Sequence, residues 1–201
     1  MDVIETPIQA IRSTVEMFVF SCFVNDAIGT NRITLKTFNQ QIELQDDGKG
    51  LVIKHGFTDE QLKADGRNLV LMALASTALA TDKAMDIVCG AKNPDDTSDL
   101  GSARAIVYKI RCAFAHDLLV PIWNPKSKYK HTYRVTVNVP RESGTATPRT
   151  IELDMPSLGG KHLSLADFGN LGGYMGLLEY CLDKVQSDSK GKMAYPPPVE
   201  E

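Results

Sequence analysis
Arg111 and His116 stand five positions apart in KIRCAFAHDLLVPIW, residues 109–123, at the close of an apolar helical stripe that stops at Pro121. Those two side chains suit phosphate chemistry. An imidazole with an unperturbed pKa near ~6.5 exchanges protons at neutral pH. A guanidinium holds a phosphate through paired N–H groups and offsets charge that builds up in the transition state. On a straight helix the two are about 140° apart around the axis and roughly 7.5 Å apart along it. They therefore flank the stripe rather than share it. Arginine is long enough to reach around, and the unpaired carbonyls at the helix end favour a cationic imidazole near His116. A polar notch beside the core is expected to hold both.

A second candidate is KSKYKHTYR, residues 126–134. Lys126, Lys128, Lys130 and Arg134 would meet RNA phosphates, while Tyr129 and Tyr133 would stack on unpaired bases. The competing expectation is a solvated hairpin strand with alternating polar residues. Asp82 and Asp86, four apart on a long helix, read as a wet helix face. Asp117 would orient the neighbouring imidazole or repel phosphate. Gly159-Gly160-Lys161 lacks the spacing of a phosphate-binding loop, and His55, His131 and His162 are scattered without metal-ligand spacing. No metal and no cofactor is expected.

These residues need elements to position them. Thr6-Pro7 opens a helix whose apolar face carries Ile8, Ile11, Val15, Phe18, Val19, Cys22 and Phe23, and which ends near Gly29. Residues 31–55 read as a helical start followed by a short hairpin at about 41–55. Thr58 with Gln61 forms a capping box, opening a central helix that stops at Cys89-Gly90. Ser98 caps the helix that bears Arg111 and His116, with Leu100, Ala103, Val107, Ile110 and Phe114 as its buried stripe. HTYRVTVNVP and PRTIELDMP alternate as strands around a small-residue turn, which predicts a hairpin over about 131–154. A last amphipathic segment runs from Ser164 to Val185, its first half weakened by glycines and firm from Tyr174. The fold class is mainly α: one domain over residues 1–186 with a mobile Pro-rich tail over 187–201.

Composition narrows the function classes. The chain has 201 residues, 43% hydrophobic and 23% charged, ordinary for one globular domain. A net charge of −3 argues against coating duplex DNA, which needs many cation–phosphate contacts. Cys22, Cys89, Cys112 and Cys181 form no paired motif, which suits a reducing cytoplasm. The N-terminus lacks the pattern of an export signal. The most apolar window, residues 69–80, falls short of the ~20 residues that cross a bilayer, so no membrane partner is expected.

Arg111-Cys-Ala-Phe-Ala-His116 resembles the R-x4-6-H motif of HEPN domains. The likeness spans most of residues 8–185, although only this hexapeptide is specific. HEPN proteins are often helical bundles with the motif late in the chain and with insertions such as the hairpin over 131–154. The resemblance implies a metal-independent endoribonuclease that cuts single-stranded RNA through 2′-hydroxyl attack. It also implies a homodimer in which two copies of the motif form a composite site, with Arg111 and His116 catalytic. Toxin or phage-defence roles, with a cognate antitoxin protein as partner, are common in that family. Many active HEPN ribonucleases carry a polar residue, commonly asparagine, directly after the arginine; this chain has Cys112. The alternative is a catalytically inactive HEPN-like module that binds RNA, a nucleotide or a protein.

Overall fold
A computed structural model describes residues 7–40, 42–46, 49–53, 56–125, 127–139 and 145–193. Helices α1 (Pro7–Gly29) and α2 (Leu35–Phe38) precede strands β1 (Ile42–Asp46) and β2 (Lys49–Ile53). Helices α3 (Asp59–Cys89) and α4 (Asp99–His116) follow, then strands β3 (Thr132–Val139) and β4 (Thr147–Asp154), and finally α5 (Met155–Leu158) and α6 (Leu171–Met193). The protein is mainly helical, and its described residues form two separate antiparallel two-stranded sheets.

Local chemistry sets the helix ends. At α3 the Thr58 hydroxyl accepts from the Gln61 N–H while the Gln61 side chain accepts from the Thr58 N–H, so two orphan donors are satisfied at once. Gly90 ends α3 with φ 79°, a conformation that costs glycine little. Ser98 caps α4 by accepting from Gly101 N–H. At its other end the Asp117 carboxylate accepts from the N–H groups of Leu119 and Val120, both at 2.9 Å. Asp117 therefore closes its own turn, and neither role expected of it, orienting His116 or repelling phosphate, is the one its bonds serve.

α3 lies centrally, touching α1, α4 and α6, while β3 packs on α4 and α6. Along β3 the buried residues alternate, placing Tyr133, Val135 and Val137 inward. Tyr133 pairs with Leu153, and Val135 with Ile151. The hairpin covers α4, so its first half, residues 101–107, is buried all round rather than along one stripe. Phe18 meets Tyr174 edge to face, and the Tyr174 hydroxyl shares a 2.6 Å hydrogen bond with Thr77 in the same core.

Two expectations change at the C-terminus. α6 is helical from Leu171 rather than from Tyr174, because its glycines serve close packing. A Cβ on Gly173 would overlap the Phe168 carbonyl oxygen, and one on Gly176 would come within 2.9 Å of the Asn138 carbonyl. The helix also continues past residue 186 to Met193, since QSDSKGK holds no proline and the next one is Pro196. Residues 194–201 of the expected tail lie outside the described residues, as does Lys126.

Candidate functional site
Arg111 sits on the last two turns of α4 and faces α3. Its Nη1 donates to Asp82 Oδ2 at 2.8 Å. Asp82 is only 3% exposed, whereas the Arg111 side chain is 43% exposed. This bond with Asp82, ahead of any other influence, raises the guanidinium pKa. The reading of Asp82 and Asp86 as a wet face is overturned for Asp82, which is a buried ionic partner.

The pair belongs to a larger cluster. Lys92 Nζ lies 3.0 Å from Asp82 and 2.5 Å from Asp86. Arg104 reaches Asp86 at 3.2 Å and also donates to the carbonyls of Gly90 and Ala91, tying the end of α3 to α4. Three cations against two carboxylates leave one positive charge in excess. Lys92 and Arg104 were missing from the sequence reading, because nothing in their spacing tells which helix they face. Tyr108 lies beside the Arg111 guanidinium, with 5.8 Å from ring centre to Cζ. The neighbouring Cys112 side chain first, and burial second, push the Tyr108 hydroxyl up to about 12.

Arg111 also marks the meeting point of two recesses. One, of ≈ 620 Å³, is lined by Thr14, Ser76, Leu79, Asp82, Lys83 and Arg111. The other, of ≈ 460 Å³, is apolar and includes Met72, Leu79, Phe114 and Leu118 with Arg111. Met72, Leu79 and Leu118 are all exposed, and Leu69 and Ile87 extend the α3 part of this face at helical spacing.

His116 looks elsewhere. Its exposed ring lines a third recess, ≈ 620 Å³, together with Ile122, Trp123, Pro125, Lys130 and Gly159. This recess shares no lining residue with the two at Arg111. The expected single notch holding both side chains is absent within one chain: the angular offset between the two positions on α4 is retained, and Arg111 bends toward α3 rather than around the helix.

The basic stretch is dispersed as well. Lys128 is exposed over the Tyr129 ring, and Lys130 is exposed at the His116 recess. Arg134 gives two hydrogen bonds to Glu152, directly across the hairpin, and the bond raises its pKa while lowering that of Glu152. Tyr129 and Tyr133 are buried, with the Tyr133 hydroxyl donating to the Pro94 carbonyl. Both rings are turned into the core, Tyr129 in the short helical turn before β3 and Tyr133 on β3 itself, so neither is free to stack on bases. Behind them Lys109, only 1% exposed, donates to the Asn124 carbonyl at 2.7 Å between the rings of Tyr108 and Tyr129.

Among the described residues no group of three or more His, Cys, Asp or Glu side chains is placed to hold a metal ion, and no helix is long and apolar enough to cross a membrane. Compared with family models, with curated proteins and with solved structures, the chain matches none.

Proposed function
We propose that the chain acts as a homodimeric, metal-independent endoribonuclease of the HEPN type on single-stranded RNA. The observation that carries this reading is the setting of Arg111: half exposed, in a cluster with one positive charge in excess, on an exposed apolar face that includes Met72, Leu79 and Leu118. A second copy covering that face would bury the apolar stripe, and the composite site requires that it also bring its own His116 to Arg111. In this scheme the RNA 2′-oxygen attacks phosphorus and the 5′-oxygen leaves, giving a 2′,3′-cyclic phosphate. His116 moves the proton to or from those oxygens, and Arg111 offsets the charge on the phosphoryl oxygens.

The test uses the full chain with mixed RNA and no divalent ions. Wild type cuts, while Arg111→Ala and His116→Ala each do not. Mixing the two variants restores about a quarter of wild-type activity, because half the dimers then hold one intact composite site of two. RNA left intact by wild type overturns the reading, and a lack of restoration overturns the composite site. A second reading, a module that binds RNA or a nucleotide without cutting, draws on the engagement of Arg111 with Asp82 and on Cys112 standing directly after the arginine.

A further inference from the structure
The His116 recess is built from two chain segments that brace each other. Trp123 N–H donates to the Lys161 carbonyl, Gly160 N–H to the Trp123 carbonyl, and Leu163 N–H to the Pro121 carbonyl, all at 2.9 Å. Beneath them the Trp123 indole N–H donates to Asp167 at 2.8 Å, and Lys109 holds the Asn124 carbonyl. The walls are thus fixed before any ligand arrives, which reduces the ordering cost of binding.

Their chemistry is divided. Ile122, Pro125, Pro156 and the Gly159-Gly160 backbone offer flat apolar surface, while His116 and Lys130 place cationic or hydrogen-bonding groups at the same recess. An apolar planar body with an anionic end matches both halves. We infer that this recess binds one nucleoside monophosphate unit of single-stranded RNA, with the base against Ile122, Pro125 and Pro156 and the phosphate toward Lys130 and His116. A base can enter only when unstacked and unpaired, so the recess selects single strands over duplex. The inference rests on the ribonuclease reading only in placing this nucleotide next to the scissile bond.

Trp123 is the chain's single tryptophan and lines the recess, so its fluorescence places a probe at this site. Titrating the full chain with uridine 5′-monophosphate should give a saturable change, with uridine and inorganic phosphate each far weaker. Lys130→Glu should weaken binding roughly tenfold by replacing attraction with repulsion. Gly159→Val narrows the recess: Gly159 has φ −51°, and an added Cβ meets the Pro125 ring at 3.5 Å and the Pro156 carbonyl oxygen at 3.8 Å, both ordinary contact distances. That variant should keep the wild-type melting temperature and lose nucleotide binding. No saturable change with the monophosphate up to millimolar concentrations overturns the inference, as does wild-type binding by both variants. Monophosphate binding with these sensitivities, but no RNA cleavage, upholds the site and defeats the ribonuclease reading. Cleavage without monophosphate binding does the reverse.

Discussion
Replacing Asp82 by asparagine keeps the side-chain shape and removes the charge shared by Arg111 and Lys92. Two unit charges about 4 Å apart attract by ~4 kcal/mol at the effective dielectric near a protein surface. Three features reduce the net loss. The asparagine no longer carries the desolvation cost of a carboxylate that is 3% exposed; Arg111, 43% exposed, can turn to water; and Lys92 keeps Asp86. We expect a loss of about 2 kcal/mol, below the 3–5 kcal/mol typical of leaving a fully buried charge unpaired. For a chain of this size that is a fall in Tm of roughly 4–8 °C. Urea denaturation at neutral pH, in low and high salt, measures it, and a cycle with Arg111→Met isolates a coupling of about 1 kcal/mol. The raised Arg111 pKa means its contribution is complete below the unfolded value and is lost only as pH rises through the folded one, far into the alkaline range. The loss should therefore not depend on the arginine's titration near neutrality. A loss under about 0.5 kcal/mol, the worth of an ordinary surface pair, or one abolished by salt, would refute the buried tie.

Gly173→Ala should cost about 3 kcal/mol in denaturant unfolding, because its Cβ would overlap the Phe168 carbonyl oxygen and backbone must shift. Tyr174→Phe should cost about 1 kcal/mol by the same measurement, since it removes the hydrogen bond to Thr77 from a site otherwise shaped for the ring. Burial first, and Asp183 second, hold the Glu179 carboxyl above its usual range. A raised carboxyl pKa gives stability that is complete below the unfolded value and falls as pH climbs through the folded one. Glu179→Gln should thus melt like wild type in acid and gain about 0.3 kcal/mol at neutral pH, the scale of a relieved helical like-charge pair.

The elements were legible where a local rule is also the cause. Thr58 with Gln61, Ser98 with Gly101, and the alternation of Tyr133, Val135 and Val137 each act within a few residues, so their spacing carries the result. The cluster around Arg111 was not legible, because burial of Asp82 depends on α4 packing against α3, and a four-residue acidic spacing looks the same on a wet face. The neighbours did hold a signal: Ala78, Thr81, Asp82 and Met85 are all buried on α3, and three of those four were readable as an apolar or small-residue surface. The tyrosines of residues 126–134 misled for the same reason. Their sequence neighbours are basic, but the short turn before β3 sends Tyr129 inward and the alternation of β3 does the same for Tyr133, while Lys128, Lys130 and Arg134 face water.

α4 explains why chemistry on this chain is split. A helix enclosed by α3, α6 and β3 can keep charged residues only if each leads to a partner or to an opening. Arg104 leads to the end of α3, Lys109 to the Asn124 carbonyl, Arg111 to Asp82 and the apolar face, and His116 to the recess by Lys130. Four polar side chains thus leave one rod in different directions, two spent on holding the fold and two opening on separate surfaces. A reaction needing both Arg111 and His116 therefore requires something that spans those surfaces, and the exposed stripe of Met72, Leu79 and Leu118 beside Arg111 makes a second copy of the chain the fitting candidate.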